Sequence, residues 1–123
     1  MSPHSSNKFK DSLQQLTEAL AEYRQSNQPE HLRFLTVAKA FEVAIEYTWK
    51  ELKRAVEDQG LEADSPKDAV RQAAKLKLIQ NPDRWIHFIN TRNQSTHDYY
   101  GVSDQEYLKV IEEFLVECLT III

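Results

Sequence analysis

Glycine is nearly missing from this chain, with two in 123 residues, and proline occurs four times. So little turn-forming material disfavours an all-β fold, whose many reversals rely on glycine, proline and their polar substitutes. Cysteine occurs once, at Cys118, which excludes an internal disulfide and fits a reducing compartment. No apolar run approaches the ~20 residues that span a bilayer. The opening segment, residues 1–7, is polar and lacks the apolar core of a signal peptide. These absences predict a cytoplasmic protein away from the membrane, with a flexible segment over residues 1–7 and one domain over residues 8–123. A glycine-rich phosphate loop and a nucleophile elbow are also lacking, which argues against a nucleotidyltransferase. His4, His31 and His87 have no ligand partner at i+3 or i+4 of the usual kind, so neither a metal nor another cofactor is expected.

The charge that is present is unevenly spread. The formal net charge is −4, which is unlike a general nucleic-acid coat. Between Lys67 and His97, however, six basic residues face two acidic ones, so this stretch is +4 and the remainder −8. Lys67, Arg71 and Lys75 repeat every four residues and form one stripe on a helix. Taken alone such a stripe is a solvated face; beside a phosphate-handling motif it becomes a basic surface leading to a site.

Apolar spacing predicts an all-α fold of five helices with short connections. The first covers about Phe9 to Arg24, with Leu13, Leu16, Leu20 and Tyr23 on its core face. The second runs from Glu30 to Gln59, with Leu35, Ala38, Phe41 or Glu42, Ile45, Thr48 or Trp49, Leu52 and Val56 inward and Gly60 as its stop. At about 45 Å it is long for so small a domain, a length that overhangs its own bundle or packs against a second copy. The third opens with Ser65 as cap, Pro66 at the first position and Asp68 three after the cap, and ends near Leu78. The fourth starts with Asn81 as cap and Pro82, then carries Trp85, Phe88, Ile89 and Arg92. The fifth opens at Ser103 and sets Leu108, Ile111, Leu115, Cys118 and Ile122 on one face. The final three isoleucines are expected to end the core or to cover a partner, the core being the commoner case.

The segment from Asn90 to Tyr99 carries the chemistry: Arg92, His97 and Tyr99 stand at Arg-x4-His-x-Tyr spacing. Arginine holds a phosphate through a planar fork of donors, and histidine both takes and gives protons near neutral pH. Arg92 falls three residues after Ile89 and seven after Trp85, so it continues an apolar face. A cation there needs a pair, a ligand or an interface. Arg92 and His97 lie about 140° apart on an ideal helix and would flank a cleft at its end. Taken singly, Arg92 reads as an ion-pair partner of Glu42 or Glu46, His97 as a cap on helix-end carbonyls, and Tyr99 and Tyr100 as rim aromatics. Jointly, with Asn93, Ser95 and Thr96 between them and only Asp98 as a nearby acid, they point to function.

Three blocks resemble the HEPN-domain proteins, and more narrowly the small prokaryotic HEPN proteins encoded beside minimal nucleotidyltransferases, often called nucleotidyltransferase substrate-binding proteins. They are Phe41 to Lys53 (FEVAIEYTWKELK), Ser65 to Arg71 (SPKDAVR) leading to Asn81 to Trp85 (NPDRW), and Arg92 to Tyr99 (RNQSTHDY). Their order and spacing match the family over roughly residues 8–120. The resemblance implies a four- or five-helix up-and-down bundle that forms a homodimer. It implies a metal-independent ribonuclease toxin, with Arg92 and His97 catalytic. It further implies a nucleotidyltransferase antitoxin that silences the toxin by adding AMP to Tyr99.

Elementary chemistry is compatible with that picture. Metal-free RNA cleavage needs a base for the 2′-OH, an acid for the leaving 5′-oxygen and positive charge on the phosphorane-like transition state. One chain offers a single motif histidine, and a symmetric dimer offers two. In such a composite site His97 acts as base or acid, Arg92 stabilises phosphate charge, and Asn93 and Thr96 position the RNA. Two other readings stand beside it: a non-catalytic adaptor that binds a nucleotide or substrate for the partner enzyme, and a helical bundle with a purely structural role.

Overall fold

The computed structural model describes residues 3–27, 30–97 and 104–122, with side chains over 7–27, 31–94 and 104–122. Among the described residues there are five α-helices and no strand: α1 (Pro3–Gln25), α2 (Glu30–Asp58), α3 (Pro66–Lys75), α4 (Pro82–His97) and α5 (Asp104–Cys118). The all-α class expected from composition and spacing is the one observed. The chain divides into two compact units, residues 1–48 and 49–123, with the boundary inside α2.

The first unit holds α1 and the larger part of α2. Helix α1 begins at Pro3, ahead of the expected Phe9, with proline at a position where its fixed φ and missing N–H cost nothing. Its buried face is Phe9, Ser12, Leu16, Leu20 and Tyr23, with the Ser12 hydroxyl donating to the Phe9 carbonyl at 2.7 Å. The expected Leu13 is only half-buried, because Phe9 and Ser12 shift the face by part of a turn. On α2, Phe34, Val37, Ala38, Phe41, Ala44 and Ile45 are buried, whereas the expected Leu35 is 36% exposed. Arg33 Nη1 donates to the Tyr23 carbonyl, and its guanidinium lies 5.1 Å from the centre of the Tyr23 ring. That pairing links the end of α1 to the start of α2.

The second unit holds the end of α2 and α3 to α5. Helix α2 closes in a Schellman turn: Leu61 N–H bonds the Val56 carbonyl (3.1 Å) and Gly60 N–H bonds the Glu57 carbonyl (3.0 Å). Gly60 takes φ +88°, where a side chain is strained. Lys53 then pins the connection, donating from Nζ to Glu57 Oε2 and to the Ala63 carbonyl, each at 2.8 Å. Helix α3 starts as expected, with Asp68 N–H donating to Ser65 Oγ at 3.1 Å and Pro66 in the first turn.

Helix α3 ends at Lys75, short of the expected Leu78. A second Schellman turn closes it: Leu78 N–H bonds the Ala73 carbonyl (2.9 Å) and Lys77 N–H the Ala74 carbonyl (3.0 Å). The residue at the left-handed position is Lys77, with φ +61°. A non-glycine residue there costs roughly 1–2 kcal/mol. Burial of Leu78 and Ile79 directly afterwards offsets it, at about 1.5–3 kcal/mol for each fully buried side chain. Ile122 N–H also bonds the Leu78 carbonyl at 2.8 Å, so the chain's C-terminal segment seats on this turn.

On α5, Tyr107, Leu108, Val110, Ile111, Phe114, Glu117 and Cys118 are buried. Leu108, Ile111 and Cys118 are inside as expected, whereas Phe114 takes the place expected of Leu115, which is half-buried. The terminal isoleucines do not end the core as expected. Ile121 is half-buried, Ile122 is 64% exposed, and Ile123 lies outside the described residues. Among the described residues no helix is long and apolar enough to cross a membrane.

Candidate functional site

Helix α4 carries the Arg-x4-His segment, and its two faces differ sharply. Trp85, Phe88, Ile89 and Thr91 are buried. The rings of Trp85, Phe88 and Phe114 meet edge to face, with centroids 5.4, 5.9 and 5.7 Å apart, and so lock α4 onto α5. Asp83, Arg84, His87, Asn90, Asn93 and Gln94 are exposed. The open face is therefore made of amides, a histidine and an arginine, with Asp83 its one acid among the described side chains.

Arg92 sits at the border of these faces. It is half-buried, as its place after Trp85 and Ile89 predicts, and its Nε is shielded from solvent. Nη1 reaches Asn93 Oδ1 at 3.5 Å, the long limit of a hydrogen bond, in an exposed setting. The guanidinium is thus held at its stem and reaches the surface beside an amide. A cation in that position is worth more to an anion than one fully in water, because part of its hydration is already removed.

Of the residues singled out from the sequence, the structure brings Arg92 and Asn93 together. The backbone at Thr96 and His97 belongs to α4, placing them four and five residues beyond Arg92, while their side chains lie outside the described part. Tyr99 lies outside the described residues. Among the described residues no group of three His, Cys, Asp or Glu side chains gathers as a metal site would require.

Sequence reasoning missed Glu117. It is 3% exposed and accepts hydrogen bonds at Oε1 from Asn81 Nδ2 (3.0 Å) and Arg84 Nη1 (3.2 Å). Asn81, expected only as the cap of α4, takes φ +53° and commits its amide to this carboxylate. The clasp fixes the start of α4 against the end of α5. A signal was present, since Glu117 stands three residues after Phe114 and next to Cys118 on the apolar face of α5.

Comparison with known proteins bears on this arrangement. A family model described as nucleotidyltransferase substrate binding protein like matches residues 5–122. A protein of Haemophilus influenzae named "Probable ribonuclease HepT" is 27% identical over 82 residues, covering 63% of this chain and 56% of that protein. The chain thus spans little more than half the length of this curated relative. Among solved structures, the tri-AMPylated HEPN toxin of Shewanella oneidensis, in complex with its MNT antitoxin, superposes with a TM-score of 0.67. That match covers 97% of this chain and 98% of the toxin at 17% identity, a likeness of fold. With residues 5–122 matched, the chain belongs to the nucleotidyltransferase substrate binding protein like family, the HEPN family that its three sequence blocks resemble.

Proposed function

We propose that this chain is the RNA-cleaving toxin of a two-component pair, a metal-independent endoribonuclease acting at a cleft between two copies. The observation that carries the reading is Arg92, a half-buried cation at the edge of the α4 core face with its Nη1 beside Asn93. Arg92 stabilises the charge that builds on the phosphate oxygens. His97 takes the 2′-OH proton, and its counterpart in the second copy protonates the leaving 5′-oxygen. Asn93 and Thr96 position the RNA. The products are a 2′,3′-cyclic phosphate and a 5′-hydroxyl, and the bonds balance without an external nucleophile because the 2′-oxygen attacks.

The names of the relatives support this reading from two sides, one a ribonuclease and one a toxin bound to an antitoxin and carrying AMP. The partner proposed for this chain is accordingly a minimal nucleotidyltransferase that transfers AMP to the Tyr99 hydroxyl and so silences the site. Both act in the cytoplasm, where RNA and nucleotide are present.

The test is induction of this chain alone in a bacterial host, beside Arg92→Ala and His97→Ala. Growth arrest with RNA fragments ending in cyclic phosphates is expected, reduced about 10²–10⁴-fold in either variant, with both variants folded. Full nuclease activity in His97→Ala overturns the catalytic assignment. A second reading, a non-catalytic partner that holds a nucleotide for the transferase, draws on the description of the family model itself. Intact RNA and normal growth with a folded wild-type chain would favour it.

A further inference from the structure

A basic surface lies at the α3–α4 turn. Arg71, Lys75, Lys77 and Arg84 fall within fourteen consecutive residues and all four are exposed. Asp83, exposed beside Arg84, lowers the excess by one charge, and the other acidic neighbours do not cancel the rest. Asp68 lies 3.7 Å from Arg71 with both side chains largely open, a separation at which an ion pair contributes little. Glu117 holds one nitrogen of Arg84, yet Arg84 stays 58% exposed. Lys75 and Lys77 make no ion pair among the described residues.

Lys77 is the more telling of the two. Its left-handed φ of +61° is the conformation glycine adopts most easily, and the chain uses glycine for the same turn at Gly60. A lysine there sacrifices local stability while adding a cation to the turn. An observed backbone outlier of this kind is a reason to look for a role. The rest of the chain, at −8, repels a polyanion, so a nucleic acid meets an attractive field chiefly over residues 67–97.

We propose that Arg71, Lys75, Lys77 and Arg84 form a phosphate-binding subsite for the RNA strand that flanks the bond cleaved near Arg92. The proposal takes its substrate from the nuclease reading above. Arg84 precedes Arg92 by eight residues on one helix, about 12 Å along its axis. The exposed His87 and Asn90 lie between them, and neither places a negative charge in the path of a phosphate backbone. The cluster runs from the C-terminal half of α3 (Arg71 and Lys75) through the connection (Lys77) to the first turn of α4 (Arg84). It contacts phosphates, so it raises affinity and sets the register of the strand without choosing its sequence.

The experiment is fluorescence anisotropy of a labelled single-stranded RNA 12-mer bearing 2′-O-methyl riboses, which removes the attacking hydroxyl. The proteins are wild type, K75E/K77E, K77G, and K8E/K10E as a control of equal charge change on exposed positions of α1. K75E/K77E is expected to weaken binding about tenfold or more, with the slope of log affinity against log salt shallower by about 1.4 for two lost phosphate contacts. K77G is expected to weaken it about threefold while its unfolding midpoint holds or rises. K8E/K10E stays within about twofold of wild type.

Binding by K75E/K77E as tight as wild type, or an equal loss in K8E/K10E, overturns the proposal. Unchanged RNA affinity with lost binding of the nucleotidyltransferase would likewise overturn it and assign the cluster to a protein interface. Failure of the nuclease reading looks different: RNA binding that depends on Lys75 and Lys77, with unmethylated RNA left uncut. Cleavage of unmethylated RNA with binding indifferent to these lysines would keep the nuclease and reject the subsite.

Discussion

Helices α2 and α3 end in the same hydrogen-bond pattern and differ in what holds it. At the end of α2 the left-handed position is Gly60, and a Cβ there would meet nothing within 4 Å. The neighbouring bonds are local, with Lys53 reaching Glu57 and Ala63. At the end of α3 the equivalent residue is Lys77, and the turn is held by remote chain: Ile122 on Leu78, and Glu117 on Asn81 and Arg84. The first stop is written in its own residues. The second is imposed by tertiary contact against a mild local preference, which frees its left-handed position to carry a charge.

The sharpest way to break the comparison is to remove what lies under the second turn. Trp85→Ala should cost about 3–5 kcal/mol in chemical denaturation, because it removes the ring that packs against both Phe88 and Phe114. A loss under 1 kcal/mol would mean the turn does not depend on the α4–α5 core. Next in size is Glu117→Ala, expected to cost about 2 kcal/mol by removing the carboxylate that Asn81 and Arg84 share. Hydrogen exchange at Leu78 and Ile79 should quicken with it, whereas the amide of Gly60 should not respond.

The smallest effects carry opposite signs and sharpen the contrast most. Gly60→Ala should destabilise by about 1 kcal/mol, from φ alone since the space is open. Lys77→Gly should leave stability unchanged or raise it by about 1 kcal/mol, the relief of the left-handed side chain being partly offset by glycine's greater freedom in the unfolded chain. If Gly60→Ala and Lys77→Gly shifted stability in the same direction, the two turns would not be alternatives of one design.

Much of this was legible before any coordinates. Scarce glycine and apolar residues at i, i+3 and i+4 gave an all-α chain, and Ser65-Pro66 and Asn81-Pro82 marked the starts of α3 and α4 where they are found. Arg92 was legible as a cation on an apolar face because helical spacing alone ties it to Trp85 and Ile89. Less legible were the finer positions. Periodicity placed Leu35 and Leu115 inside, yet packing chose Phe34, Val37 and Phe114, since neighbouring rows on a helix differ by less than the width of a core face. Glu117 escaped because a glutamate next to apolar residues is ordinarily at the rim, and only its partners 33 and 36 residues away justify burying it.

The sequence by itself determined which segments are helices, where two of them start and where α2 stops. These depend on neighbours three or four residues apart, and the chain states such neighbours directly. Tertiary structure alone decided that α3 stops at Lys75, that Lys77 turns left-handed, that Glu117 is buried and that Ile122 is not. Each of those outcomes balances a local cost against burial or a hydrogen bond supplied from a distant segment, and no local window contains both sides of that balance.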